Sequence, residues 1–200
     1  MSLDNALLYD SLERKVAQRT AELEEANRRL EKLSITDALT GLPNRRRFNE
    51  VLEAEWFRAK RAGEAVGLAL IDVDHFKLYN DHYGHQAGDD CLKQAAIAMR
   101  GALRSGPDLV ARYGGEEFVL VLPGTHLVGT AIVAERLRAA VARLKLPHAK
   151  SSHGIVTVSI GIASFVPAAD TVPEKLIELA DAALYLAKRD GRNRVVSGPT

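Results

Sequence analysis

Cysteine is nearly absent from the 200 residues: Cys91 stands alone, so no intramolecular disulfide can form and a reducing compartment is the natural setting. Cys91 lies in Asp-Asp-Cys-Leu-Lys, an amphipathic stretch that suits a small buried helix residue better than a reactive thiol. Long apolar runs are also missing. No stretch approaches the ~18 residues that a membrane span needs. Met1-Ser2-Leu3-Asp4 has neither the basic nor the apolar region of a signal peptide. A cytoplasmic protein is expected, and a start inside an uncapped helical pattern suggests a piece of a longer one. An excess of one charge is lacking too: 27 Lys and Arg face 26 Asp and Glu, for a net +1. No general field draws nucleic acid or an anionic membrane, so any anion site must be built locally. There is no internal repeat and no low-complexity tract. His75, His82 and His85 cluster loosely, but no cysteine or His-Glu-x-x-His pattern supports zinc, and they read as loop histidines. What is present, 46% apolar and 26% charged residues, suits one globular domain with an appendage.

The appendage is residues 1–35. Up to Leu33 it contains no Gly or Pro. Tyr9, Val16, Leu23 and Leu30 recur every seven residues, and Leu12, Arg19, Ala26 and Leu33 fill the position three later. This is an a/d heptad pattern with one polar intruder, Arg19. It predicts a short coiled-coil dimer helix; the alternative is a single amphipathic helix packed on its own domain or on a neighbour.

Residues 36–200 carry mixed signals. A break around Gly41 and Pro43 precedes a helix over 44–62, ended by Gly63. The apolar run 66–73 reads as a buried central strand, with Asp72 and Asp74 at its C-terminal end. Helices are expected over 86–103 and 127–144. Strands over 109–113 and 118–122 flank Gly114-Gly115-Glu116-Glu117 as a hairpin with an acidic tip. A long strand is expected over 154–165. Thr171 with Glu174 three later fits a capping box opening a helix to about Lys188, and 192–196 suggests a short last strand. The fold class is therefore α/β or α+β, a mixed sheet of about five strands flanked by helices.

The chemistry begins with carboxylates. If the strand ending at Asp72 lies beside the hairpin, Asp72, Asp74, Glu116 and Glu117 converge. Such acids repel one another unless a cation neutralises them. Hard oxygen donors suit Mg²⁺ or Mn²⁺ shared with substrate phosphates, which points to metal-assisted phosphoryl or nucleotidyl transfer. Solvated turn acids are the plainer alternative. Gly114 and Gly115 leave the main chain bare for a ligand, or simply make a turn. Lys188 and Arg192, four apart near a helix end, can hold phosphates or cap the helix dipole.

Arg112-Tyr113-Gly114-Gly115-Glu116-Glu117-Phe118 resembles the signature of the GGDEF diguanylate cyclases in its Gly-Gly-Glu-Glu-Phe form. Three further segments resemble the same family: Asp37 to Arg46, Asp72 to Lys77 with Asn80-Asp81 and Gly84-His85, and Ala180 to Lys188 with Gly191-Arg192-Asn193. Together they cover about Thr36 to Val196. The resemblance implies a palm-like fold related to nucleotide cyclases and polymerases. It implies that two GTP condense to cyclic di-GMP, with release of two pyrophosphates, between the faces of two domains. It gives Asp72, the Val73 carbonyl and Glu116 as ligands of two Mg²⁺ or Mn²⁺ ions per half-site, with Glu116 and Glu117 catalytic. Asn80 and Asp89 would read guanine. Phe76 and Lys77 would offer backbone amides to phosphate, Lys188 and Arg192 would hold the β- and γ-phosphates, and Gly114 and Gly115 would let substrate pass. A homodimer through the N-terminal helix and the active-site faces is implied, with an upstream sensor domain as partner.

One segment departs from the family. Where many members carry Arg-x-x-Asp for product binding, this chain has Ser105-Gly106-Pro107-Asp108, with Arg104 one position off. Asp108 remains, but without the guanidinium weak product inhibition is expected. The competing expectations are a catalytically dead nucleotide receptor, a purely structural signalling dimer, and a nucleotidyl transferase using ATP.

Overall fold

The structure, a computed structural model, describes residues 12, 13, 15, 16, 18–20, 22–25, 35–103 and 106–198. The chain divides into two compact units, Met1–Ile35 and Thr36–Thr200. In the first, every described residue from 12 to 25 is helical. Leu12, Val16 and Leu23 are exposed, and with Arg19 they line one shallow groove, as their spacing of four, three and four dictates. Arg19 pairs with Glu22 at 2.9 Å. The heptad positions Tyr9, Ala26, Leu30 and Leu33 lie outside the described residues.

The second unit begins with helix α1 (Arg45–Ala62). The Asn44 side chain accepts from Arg47 N at its start, and Gly63 in the left-handed conformation closes it. Strand β1 (Val66–Val73) is buried along its whole length. Then follow α2 (Phe76–Tyr83), α3 (His85–Ala102), β2 (Leu109–Gly114), β3 (Glu117–Pro123), α4 (Leu127–Arg143), β4 (Val158–Phe165), α5 (Pro173–Arg189) and β5 (Val195–Ser197). The five strands form one sheet in the order β2-β3-β1-β4-β5. Only β4 and β5 are parallel. The sheet is mixed and five-stranded, as the sequence suggests.

Alternation along β1 divides the core in two. Ala69, Ile71 and Val73 face the cluster built by α2, α3 and α4, which holds the single cysteine, Cys91. Val66, Leu68 and Leu70 face the cluster built by α1 and α5. A strand covered by helices on both faces reads as a continuous apolar run. Burial pushes the Cys91 thiol up to about 11, so it stays a protonated core residue. Asp72, in step with Leu70, falls on the α5 side, and this decides which cation meets it.

Three expectations are corrected. Residues 76–83 form a helix that the sequence did not suggest, because only Phe76 and Tyr79 of its eight residues are buried and no apolar period develops. The strand expected from Gly154 begins at Val158; before it, Pro147 pairs with Ile155 in a small separate hairpin. The capping box at Thr171 is absent. Pro173 occupies the first helical turn and Val172 the cap, without a side-chain bond. The Thr171 hydroxyl instead accepts from Ala168 N at 2.8 Å, closing the preceding turn.

Candidate active site

The site is built where β1 ends. Cross-strand register sets Asp72 opposite Glu117 on β3 and opposite Ser159 on β4. Val73 N donates to Glu116 O at 3.3 Å, so the acidic hairpin tip is tied to the end of the central strand. Asp72 is 9% exposed. Burial pushes its carboxyl up to about 6, the Lys188 ammonium pulls it down, and the charges of Glu116 and Glu117 raise it again. Lys188 comes from the last turn of α5, with Nζ 2.7 Å from Asp72 Oδ2. It is therefore more than a dipole cap.

This donor set fits a small hard cation. Lys188 already stands on the Asp72 carboxylate as a positive charge. Asp72 is raised chiefly by burial, and the Glu116 and Glu117 charges add to this, so a further cation beside it would be favoured. Among the described residues, no three acidic, His or Cys side chains are grouped to hold a metal ion by themselves. Asp72, Glu116 and the Val73 carbonyl would be completed by phosphate oxygens, which is the usual habit of Mg²⁺.

The hairpin that carries the glutamates is held from behind. Gly115 turns at φ +53, and the β2–β3 register shifts between Arg112 and Gly114. Arg112 donates from Nε and Nη2 to Gly115 O at 2.9 and 2.7 Å. Its Nη1 reaches both Asp37 oxygens at 3.1 and 3.2 Å. Burial alone would raise the Asp37 carboxyl, but hydrogen bonds from Thr40 and Arg112 outweigh it and hold Asp37 below its ordinary value. A Cβ at Gly114 or Gly115 would meet nothing within 4 Å, so the front of the tip is open.

Asp74 takes another role than its neighbour. It is 1% exposed and fully engaged: Thr157 Oγ1 donates at 2.7 Å, Ser159 Oγ at 2.6 Å and Asn193 N at 3.1 Å. It fixes the turn after α5, where Arg192 and Asn193 adopt φ +64 and +47. That turn brings Arg192 close enough to His75 for its charge to help burial hold the imidazole below its usual range. His75 itself sits at φ +57 before α2 and gives no side-chain cap. Phe76 and Lys77 open α2, where the first backbone amides have no partner within the helix, an arrangement that suits an anion. Phe76 is buried and Lys77 exposed.

At the other end of α2, Asn80 Oδ1 is buried with no hydrogen-bond partner. It rests on α3 at Gly88, where a Cβ would stand 1.8 Å from it. Asp89, the next residue, is exposed. The structure thus brings Asp72, Glu116, Glu117 and Lys188 together, Arg192 close to His75 just before α2, and Asn80 against Gly88 of α3. Ser105 lies outside the described residues. Asp108 is half-buried; burial raises its carboxyl and the charge of Arg136 on α4 opposes this. Sequence reading placed Asp74 among the converging acids, whereas its carboxylate is taken up by Thr157, Ser159 and the Asn193 amide, and it missed Asp37, Arg112 and Gly88 as site-builders. Only Gly88 gave a signal, being a glycine inside a helix.

Residues 34–194 match the family model "Diguanylate cyclase, GGDEF domain". The chain is 47% identical over 162 residues to diguanylate cyclase DgcP of Pseudomonas aeruginosa, covering 81% of this chain and 24% of that protein. It is 42% identical over 165 residues to the response regulator PleD of Caulobacter vibrioides, covering 82% of this chain and 36% of that one. The chain thus spans well under half the length of these relatives. A crystal structure of the coiled coil and GGDEF domain of DgcB from Caulobacter crescentus, in complex with c-di-GMP, is similar at TM-score 0.74 and 36% identity, covering 94% of this chain and all of that one. With a matching signature, a matching sheet and a family model that covers most of its length, the chain belongs to the GGDEF-domain diguanylate cyclase family.

Proposed function

We propose that this chain is a diguanylate cyclase that condenses two GTP into cyclic di-GMP, metal-dependently, with one half-site per domain. The observation that carries the reading is the meeting of Asp72, Glu116 and Glu117 with Lys188 at the end of β1. Relatives that the chain matches over part of their length are named diguanylate cyclases, and members of the family generally need a divalent metal.

In this reading Asn80 and Asp89 bind the guanine edge. An Asp accepting from two adjacent donors discriminates against adenine, which offers no such pair. The unpartnered Asn80 Oδ1 is a buried acceptor awaiting a donor. Arg192, Lys188 and the amides of Phe76 and Lys77 neutralise the triphosphate and orient its α-phosphorus. Asp72, Glu116 and the Val73 carbonyl would hold two Mg²⁺ or Mn²⁺, which would stabilise charge on the phosphoryl oxygens and the leaving group. The 3′-oxygen of one GTP forms a bond to the α-phosphorus of the other, the bond to the β-phosphate oxygen breaks, and pyrophosphate departs. Glu117, exposed on the hairpin, is the carboxylate that assists as the hydroxyl proton leaves. Repeating the step with roles exchanged closes the ring.

Because each domain holds half of the chemistry, two must meet face to face. The heptad helix of residues 1–35 serves as the dimerising segment and the link to an upstream sensor, in a cytoplasmic protein. Among the described residues no helix is long and apolar enough to cross a membrane. Feedback by product is proposed to be weak, since Ser105 stands where the motif has Arg. Arg136, whose Nε is buried without a partner, is the cation left beside Asp108.

The deciding experiment is incubation of the purified chain with GTP and Mg²⁺, with products resolved by chromatography, alongside Glu116→Ala. Cyclic di-GMP from the parent and none from the variant is expected. Metal-dependent GTP binding without product would favour a receptor, and no GTP binding would withdraw the site.

A further inference from the structure

The segment between α4 and β4 takes no part in the site as described, yet it reaches two sides of it. Residues 146–156 double back: His148 N donates to Gly154 O at 3.0 Å and Val156 N to Leu146 O at 2.8 Å. This small hairpin presents two histidines. His148 is 1% exposed and meets the Tyr79 ring edge-on at 5.2 Å between centroids. Its Nε2 lies 3.3 Å from the carbonyl oxygen of His75. A carbonyl only accepts, so Nε2 carries the hydrogen and Nδ1 is left buried with no partner. Burying an imidazole with one nitrogen unsatisfied is costly. The ring is tolerated there for what its other nitrogen holds.

What it holds is the last carbonyl before the nucleotide-binding helix. His75 sits at φ +57, a conformation that a residue with a side chain keeps only when its surroundings impose it. Its carbonyl also takes the first bond of α2, from Tyr79 N at 3.0 Å. The direction of the Phe76 and Lys77 amides follows from this plane. Five residues beyond His148, His153 Nε2 lies 3.2 Å from Gly191 O, immediately before the left-handed pair Arg192-Asn193. One hairpin thus grips the backbone just ahead of both phosphate-facing segments.

We infer that the 146–156 hairpin is the positioning element of the triphosphate cradle, anchored on α2 by His148 and on the Arg192 turn by His153. The inference rests on the proposed reading of Phe76, Lys77 and Arg192 as phosphate-binding. Neither histidine touches substrate. Loosening the cradle weakens ground state and transition state alike, so KM rises while kcat holds.

The test is steady-state kinetics of the 200-residue chain with GTP and Mg²⁺, with pyrophosphate as inhibitor. His148→Leu should raise KM for GTP and Ki for pyrophosphate together, each about fivefold, with kcat within twofold. His148→Gln returns a donor near the Nε2 position and should restore both. His153→Ala, at an exposed residue, should raise both about twofold. If His148→Leu does not fold, the Gln and His153 variants decide by the same two constants. Unchanged KM and Ki, a fall in kcat alone, or a rise in KM with pyrophosphate unaffected would overturn the inference. A parent that binds GTP without turning it over is read by pyrophosphate affinity in the same variants. A parent that neither binds nor converts GTP removes the function reading, and this inference with it.

Discussion

At Asp72, burial and the two neighbouring glutamates outweigh the Lys188 ammonium, and the carboxyl titrates near 6 against an ordinary value of 3.8. The folded state therefore holds a proton that the unfolded chain has lost between these values. The Asp72 contribution to stability is most favourable below about pH 3.8, falls as pH rises, and its penalty is complete above about 6. Asp72→Asn removes the penalty and leaves Lys188, one-third exposed, to solvent. In chelator, urea unfolding should find the variant about 2 kcal/mol more stable than the parent at pH 8. No gain is expected at pH 4, and cyclase activity should be lost. Equal gains at both pH values would mean that the carboxylate is not strained by charge. Gly88 makes the second prediction at this scale. A methyl there would meet Asn80 Oδ1 at 1.8 Å, so Gly88→Ala must displace the amide. We expect KM for GTP to rise about tenfold and discrimination against ATP to weaken, because a misplaced polar group no longer rejects the wrong base. Unaltered discrimination would separate Asn80 from base reading. Asp72 and Glu116 stood out in the sequence because acids at a strand end and a hairpin tip are brought together by pairing, whereas a site role for Lys188 rested on the family resemblance. Their partners did not stand out: nothing in the spacing of Arg112 and Asp37, 75 positions apart, announces a bond.

Between elements, α5 packs backbone to backbone on β4. A Cβ at Gly161 would stand 2.1 Å from Ala180 O and 2.1 Å from Leu184 N, so the helix backbone lies directly on the strand. This approach sets the depth at which Lys188 meets Asp72. Gly161→Ala should cost about 3 kcal/mol in unfolding free energy and, by lifting α5, should lower activity by more than the loss of folded protein accounts for. Specific activity per folded molecule is the check, and an unchanged value would show that α5 settles back. Long periodic elements such as α1, α3 and α4 could be read within a few residues. α2 could not, since its existence depends on tertiary packing of Phe76 and Tyr79 rather than on propensity. The expected capping box that did not form has the same lesson: Thr171 had two uses for its hydroxyl, and the fixed φ of Pro173 moved the helix start away from it.

For the whole molecule, the proposed half-sites would make activity a property of pairs. In that reading a domain with Asp72, Glu116 and Lys188 in place still lacks the second GTP, and turnover should depend on protein concentration below the dimer dissociation constant. The described heptad positions Leu12, Val16 and Leu23 are 57%, 60% and 65% exposed, so among the described residues the helix carries an apolar stripe. Burying it against a second copy would hold two catalytic domains at an effective concentration far above nanomolar. Arg19 at a core position weakens such a pair and leaves it open to adjustment by whatever precedes it. Residues 36–200 contain both core clusters, so deletion of residues 1–33 leaves a folded catalytic domain. The deletion should give specific activity that falls steeply on dilution into the nanomolar range and recovers toward the parent's value at high concentration, while the parent stays flat across the same series. Parallel curves for the two proteins would mean that the catalytic faces find one another unaided, and the helix would then be a relay and not a dimeriser.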